Sequence, residues 1–179
     1  MKIMQATIQP PDLCSGGGLG VYQSSYSLLE NEIAYIGPEP KDPAIGHLYD
    51  SAHYLDRGRS KLAKGLSFVT TGLFHDWSKS VSLIREARPD CAYLDFTWAY
   101  PFAEATRECG VPLVVRAHNV EFDYAGRQYA STKTLRNKIS LSYAQSCELR
   151  VLKCADVLLC LTEHDKNRFI DLYGSIVSD

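Results

Sequence analysis

The chain has 179 residues, 45% of them hydrophobic and 22% charged, the make-up of one sizeable globular domain. A formal net charge of −2 leaves no global field to draw in nucleic acid, and no apolar run approaches the roughly 20 residues that a membrane-spanning helix needs. The first residues, MKIMQATIQPPDLC, hold one lysine and too short an apolar stretch for a secretory signal, so a cytoplasmic protein is expected.

The predicted elements alternate. IMQATIQ reads as a first strand, and LGVYQSSYSLLE as a helix with Tyr22, Tyr26 and Leu29 at helical spacing. EIAYIG is a second strand, stopped by Gly37 and Pro38. Residues 38–55, with Pro38, Pro40 and Pro43, read as a loop, followed by a helix over about residues 57–69. HDWSKSVSLIREA is a further helix, with Trp77, Val81, Ile84 and Ala87 on one face, ended by Pro89 and Asp90. CAYLDF is the third strand, and YPFAEATRECG a helix closed by Gly110 in the position of a left-handed cap. VPLVVRA is the fourth strand. A long helix over about residues 134–155 carries a stripe of Ile139, Tyr143, Cys147, Val151 and Cys154. DVLLCL is the fifth strand, and a last helix opens at Thr162, with Asp165 placed to complete a capping box.

Strands that alternate with helices imply crossover connections, and crossovers imply a parallel sheet covered on both faces. The expected fold class is therefore α/β: a Rossmann-like, doubly wound, mainly parallel sheet with helices on both faces. Ligand sites in such sheets lie beyond the carboxyl ends of the strands. That rule gathers residues 10–20, 96–101, 117–123 and 162–165 along one rim.

Three rim segments carry chemistry. In SGGGLG, Gly16, Gly17 and Gly18 let backbone approach a ligand at a helix N-terminus, which suits a phosphate or a sugar hydroxyl. The dinucleotide fingerprint fails because Val21 stands where its last glycine belongs, and no P-loop lysine follows. In RAHNVE, His118 just past the fourth strand is placed to take or orient a hydroxyl proton. Asn119 and Glu121 bind substrate or hold the imidazole on one reading; on the other, Asn119 caps the next helix and Glu121 complements its dipole. In DFTWAYP, Asp95, Thr97 and Trp98 follow the third strand, and Trp98 suits either stacking on a sugar or the core.

The remaining polar features are weaker. Arg57, Arg59, Lys61 and Lys64 form a basic face on the helix expected there, either a solvated surface or a contact with anionic lipid at the inner face of a membrane. His47, His53 and His75 show no metal-ligand spacing, and no metal is expected. The six cysteines, Cys14, Cys91, Cys109, Cys147, Cys154 and Cys160, include no C-x-x-C pair and read as reduced, small hydrophobes. Glu148 reads either as a surface residue of the long helix or as a carboxylate turned towards a polar strand end.

The order of SGGGLGVYQSSYSLL, RAHNVE, a long helix with Glu148, and CADVLLCLTEHDKNRFIDLYG resembles the N-terminal half of retaining glycosyltransferases of the GT-B fold, family 4. The resemblance implies that residues 1–179 form the acceptor-side domain and that a donor-binding C-terminal domain lies outside this chain. It implies transfer of a sugar from a nucleotide-sugar to an acceptor hydroxyl with retention, in polysaccharide or glycolipid biosynthesis, with the nucleotide-sugar as co-substrate and no resident cofactor. His118 is then the catalytic residue, with Gly16, Gly17, Gly18, Thr97, Asn119 and Glu121 binding substrate. The rival expectation is a stand-alone α/β module that binds a small phosphorylated ligand or a partner protein without catalysis.

Overall fold

The computed structural model describes residues 1–55 and 76–177. The helix expected near residues 57–69, its basic face (Arg57, Arg59, Lys61, Lys64) and His75 lie outside the described residues.

Six strands form one all-parallel sheet: β1 (Lys2–Thr7), β2 (Glu32–Gly37), β3 (Ser51–Tyr54), β4 (Cys91–Asp95), β5 (Leu113–Ala117) and β6 (Val157–Cys160). Their spatial order is β3-β2-β1-β4-β5-β6. The order reverses between β1 and β4, and this topological switch is where an open α/β sheet offers a crevice. Residues 38–55 are more ordered than the sequence suggests. Pro43 begins a 3-10 helix (Pro43–Leu48), capped by the Asp42 side chain, and β3 follows it as an edge strand. Only four residues long and mostly exposed, β3 lacks the apolar alternation by which strands are read.

Among the described residues the helices are α1 (Gly16–Ser27), α2 (Trp77–Ala87), α3 (Tyr100–Glu108), α4 (Glu121–Thr132), α5 (Leu135–Leu152) and α6 (Glu163–Val177). The pleat of β2 sorts the layers. Ile33 and Tyr35 pack with Ile45 and Leu48 of the 3-10 helix and with Tyr22 of α1. Ala34 and Ile36 face the other way, into a cluster with Val81 and Ile84 of α2, Phe102 of α3 and Val151 of α5. The sheet is thus covered on both faces. Its central strands are correspondingly apolar, with Leu94, Leu113 and Val115 fully buried.

Local signals set the helix ends. Gly110 takes φ +68 behind α3, as a left-handed cap requires. Thr162 Oγ1 accepts from Asp165 N at 3.0 Å and donates to the Asp165 carboxylate, so only half of the expected capping box forms. The stripe expected along α5 splits: Cys147 and Val151 are buried while Ile139 is exposed. An i, i+4 stripe drifts by about 40° per step, so it winds from the solvent side of α5 to the core side. Among the described residues no helix is long and apolar enough to cross a membrane.

Leu94→Ala removes a fully buried side chain from the strand at the switch point. It should lower stability by about 2–5 kcal/mol, read as a shift in the urea unfolding midpoint with an unchanged slope. A loss below about 1 kcal/mol would show that the sheet centre is not tightly packed.

Candidate functional site

The residues after β1, β4, β5 and β6 and the first turn of α1 enclose an open pocket of about 550 Å³. Ile8 and Gln9 come from β1, Phe96 and Trp98 from β4, His118 and Asn119 from β5, and Leu161 from β6. Gly16 and Gly17 close one side, and Glu121 and Tyr124 of α4 another. Gly16, Gly17, His118, Asn119 and Glu121 of the expected set therefore meet at one pocket. Two others do not reach it. Gly18 is buried against the Asp12 carboxylate. Thr97 is 1% exposed, with its hydroxyl unpaired.

The glycine run is helix rather than loop: Gly16 begins α1, and Ser15 is its N-cap, accepting from Gly18 N at 3.2 Å. Asp12 clamps this start. Its carboxylate accepts from Cys14 N at 2.7 Å, Ser15 N at 2.6 Å, the Ser15 hydroxyl at 2.8 Å and Lys41 Nζ at 2.7 Å. The Lys41 ammonium, with Ser15, holds the Asp12 carboxyl well below its usual range. The first N–H groups of a helix have no intrahelical partner, so Gly16 and Gly17 present the positive end of α1 to the pocket.

Asp95, the last residue of β4, is the polar centre beneath. It is fully buried. Gln5 Nε2 and Ser24 Oγ each donate to it at 2.9 Å, and His118 Nε2 lies 3.1 Å from its Oδ1. Arg116 Nη1 stands 3.8 Å from the same oxygen; it donates to Gly20 O at 2.8 Å and also to Ser24 Oγ. Because the carboxylate takes Nε2–H, the neutral imidazole is left with its lone pair on Nδ1. Phe96 stacks on the ring at 4.0 Å between centroids, 15° from parallel. Phe96 itself sits at φ +77, a strained position for a bulky residue, and strain of this kind concentrates at functional sites. On the other side, a Cβ at Gly20 would lie 2.3 Å from His118 Cε1. The ring is thus held by a carboxylate, an aromatic face and a bare helix backbone.

Glu148 is the second buried carboxylate. It accepts from Glu121 N at 2.6 Å, Phe122 N at 3.2 Å and the Tyr173 hydroxyl at 2.8 Å. It therefore caps α4 from a neighbouring helix. Asn119 does not: Val120 holds the N-cap position, with no side-chain bond. Burial pushes the Glu148 carboxyl from its usual 4.5 up to about 7, against the lowering by its three donors. Glu121, 7% exposed, is also raised by burial, opposed by hydrogen bonds from the Trp98 indole and the Asn119 side chain. Trp98 packs on Tyr143 of α5 at 5.9 Å and lines the pocket as well, so it serves both core and rim.

Gly20 has no expected role in the sequence, Asp95 is placed on the rim without one, and Glu148 is left between the helix surface and a polar strand end. Each had a sequence signal: a fourth glycine inside a helix-forming run, a carboxylate ending an apolar strand, and a carboxylate one position from the buried stripe of α5. Among the described residues no group of three or more His, Cys, Asp and Glu side chains could hold a metal ion.

Solved structures share this architecture. Neisseria meningitidis UDP-GlcNAc 2-epimerase bound to UDP-GlcNAc matches with a TM-score of 0.57 at 12% identity, over 100% of this chain and 44% of that one. Phytolacca americana UGT2, complexed with UDP-2fluoro-glucose and pterostilbene, matches with a TM-score of 0.57 at 11% identity, over 94% of this chain and 50% of that one. The UDP-GlcNAc 2-epimerase from Methanocaldococcus jannaschii matches with a TM-score of 0.54 at 9% identity, over 96% of this chain and 42% of that one. The fold is one Rossmann-like half of the GT-B type. The GT-B half described here spans half or less of the length of these structures. No family model and no curated protein sequence matches the chain.

Two measurements test the geometry. Gly→Ala inside a helix ordinarily stabilises by about 0.5–1 kcal/mol, but Gly20→Ala drives a methyl into a ring that cannot swing aside, so it should destabilise by about 1–3 kcal/mol in thermal unfolding; a stabilised variant would place His118 elsewhere. Glu148, raised in the fold, favours folding most below its unfolded value of 4.5, and that contribution is lost as pH rises through about 7. The melting temperature of Glu148→Gln relative to the parent should therefore climb across this window, and a flat difference would mean that Glu148 does not titrate there.

Proposed function

We propose that this chain is the acceptor-side half of a glycosyltransferase that moves a sugar from a nucleotide-sugar to an acceptor hydroxyl. Retention at the anomeric carbon and a role in polysaccharide or glycolipid biosynthesis belong to the same reading, and rest on the resemblance of the glycine-rich, RAHNVE and Glu148 segments. The observation that carries the proposal is the convergence at the switch point: the Asp95–His118 pair, the open N-terminus of α1 and the polar start of α4 face one pocket.

The roles follow from the atoms. Asp95 holds His118 in the tautomer that keeps Nδ1 basic, so the imidazole is suited to accept or orient the proton of an attacking hydroxyl. Asn119 and the Glu121 carboxylate offer hydrogen bonds to sugar hydroxyls, and the half-exposed Tyr124 offers a ring face. Gly16 and Gly17 supply backbone N–H groups towards a phosphate.

No lysine or arginine lines the pocket among the described residues. A nucleoside diphosphate needs more positive charge than one helix end supplies, about half an elementary charge. A donor-binding half on another domain meets that need without a metal or a resident cofactor in this one. The rival reading, a phosphate-binding module without catalysis, gains support from the α1 N-terminus alone and leaves the Asp95–His118 pair without work.

In the protein encoded by the complete reading frame, His118→Ala should cut turnover by about 10² or more, with product analysis scoring both transfer and epimerisation. Unchanged turnover would leave His118 a packing residue. The chain taken alone should bind UDP-sugars weakly or not at all in titration calorimetry, and micromolar affinity would contradict the division of labour.

A further inference from the structure

Two helices turn their N-termini towards the pocket, and they differ in charge. Gly16 and Gly17 open α1, and no acidic residue stands in its first turn. Asp12, just before it, is answered by Lys41 Nζ at 2.7 Å, so α1 keeps a positive end. Helix α4 is the reverse. Glu121 and Asp123 stand in its first turn, and Glu148 accepts from the backbone N–H groups of Glu121 and Phe122. Asp123 is paired with Arg168 at 2.7 Å, whereas Glu121 is held by neutral donors, the Trp98 indole and the Asn119 side chain. Both of those donors line the pocket, so the Glu121 carboxylate belongs to its wall. The pocket is therefore polarised: its α1 side draws an anion, and its α4 side repels one.

The α4 side also carries the parts of a ring site. A carboxylate has about four lone-pair sites. Trp98 and Asn119 occupy two of them, which leaves room for two hydroxyls on adjacent carbons. Tyr124, 46% exposed, stands one helical turn from Glu121 on the same face of α4 and offers a flat apolar surface. A phosphate or carboxylate on a ring seated there would lie against the Glu121 charge. Glu121 is only 7% exposed, so little water stands by to screen that repulsion.

We propose that the α4 side of the pocket selects an uncharged acceptor ring: Glu121 accepts the hydroxyls of a neutral sugar, Tyr124 stacks on its face, and a ring that bears a phosphate or carboxylate is turned away. This inference rests on the transfer reading above and adds the class of acceptor to it. Any acidic substituent on that ring is then added by a later reaction that consumes this product.

Ligand-observed NMR titration of the 179-residue chain with paired glycosides tests the selection. The probes are the methyl glycosides of glucose and galactose, each set against its uronate, which differs only by a carboxylate in place of the C6 hydroxymethyl group. In buffer above neutral pH, at least one neutral glycoside should bind, and at least about tenfold tighter than its uronate. Glu121→Gln keeps the shape and removes the charge, and should bring the two affinities within about threefold of each other. Tyr124→Ala, at an exposed position, should weaken the neutral glycoside about fivefold or more. Failure of both neutral glycosides to bind, a uronate that binds as tightly as its neutral partner, a preference that survives Glu121→Gln, or binding indifferent to Tyr124→Ala would each overturn the proposal. No nucleotide-sugar is present in the titration, so a lost preference removes the acceptor class alone, and the His118→Ala turnover decides the transfer reading separately.

Discussion

A carboxylate sealed beneath helix α1 is the constraint on which the site depends. An ion taken out of water is tolerated only with its partners in place, and removing one partner of such a group typically costs about 3–5 kcal/mol. Asp95 meets the condition with donors from three elements: Gln5 of β1, Ser24 of α1, and His118 and Arg116 at and beyond the end of β5. The polar content of an otherwise apolar sheet follows from this. Gln5 has no water to bond in mid-strand, and its amide is shared between Asp95 and the Ser25 hydroxyl. The bare backbone at Gly20 follows as well, because the imidazole that completes the shell lies against it.

Glu148 repeats the logic on the other side of His118. A helix N-terminus carries orphan N–H groups, and α4 starts in a place where its own sequence offers no side-chain cap. A buried carboxylate from α5, braced by Tyr173 of α6, supplies the acceptors. The two nodes differ in balance. Asp95 has charged or strongly polar donors on every side, whereas burial outweighs the donors around Glu148 and brings its titration to about 7. The pocket thus sits between a carboxylate ringed by donors and one whose charge is sensitive to pH near neutrality.

Helix α5 joins these layers. Its C-terminal half packs in the core, its middle supplies the α4 cap, and its first turns carry the exposed Leu135 and Ile139 beyond the rim. Core, site and outer surface therefore share one rigid rod, and a helix apolar on two sides is what such a layout requires.

The strand–helix alternation, the buried apolar strands and the rim rule were legible in the amino-acid order, because period-2 and period-3.6 patterns record which face is buried. They sufficed to bring Gly16, Gly17, His118, Asn119 and Glu121 to one edge of a parallel sheet. They did not separate those residues from Gly18 and Thr97, which share the segments but turn away from the pocket. β3 stayed hidden because an exposed edge strand has no apolar period. Asp95 with His118, Gly20 with the imidazole, and Glu148 with the start of α4 are pairings across 23, 98 and 27 positions of chain. Spacing along a sequence says nothing about such distances; only the packing of α1, α4 and α5 on the sheet decides which buried charge meets which donor.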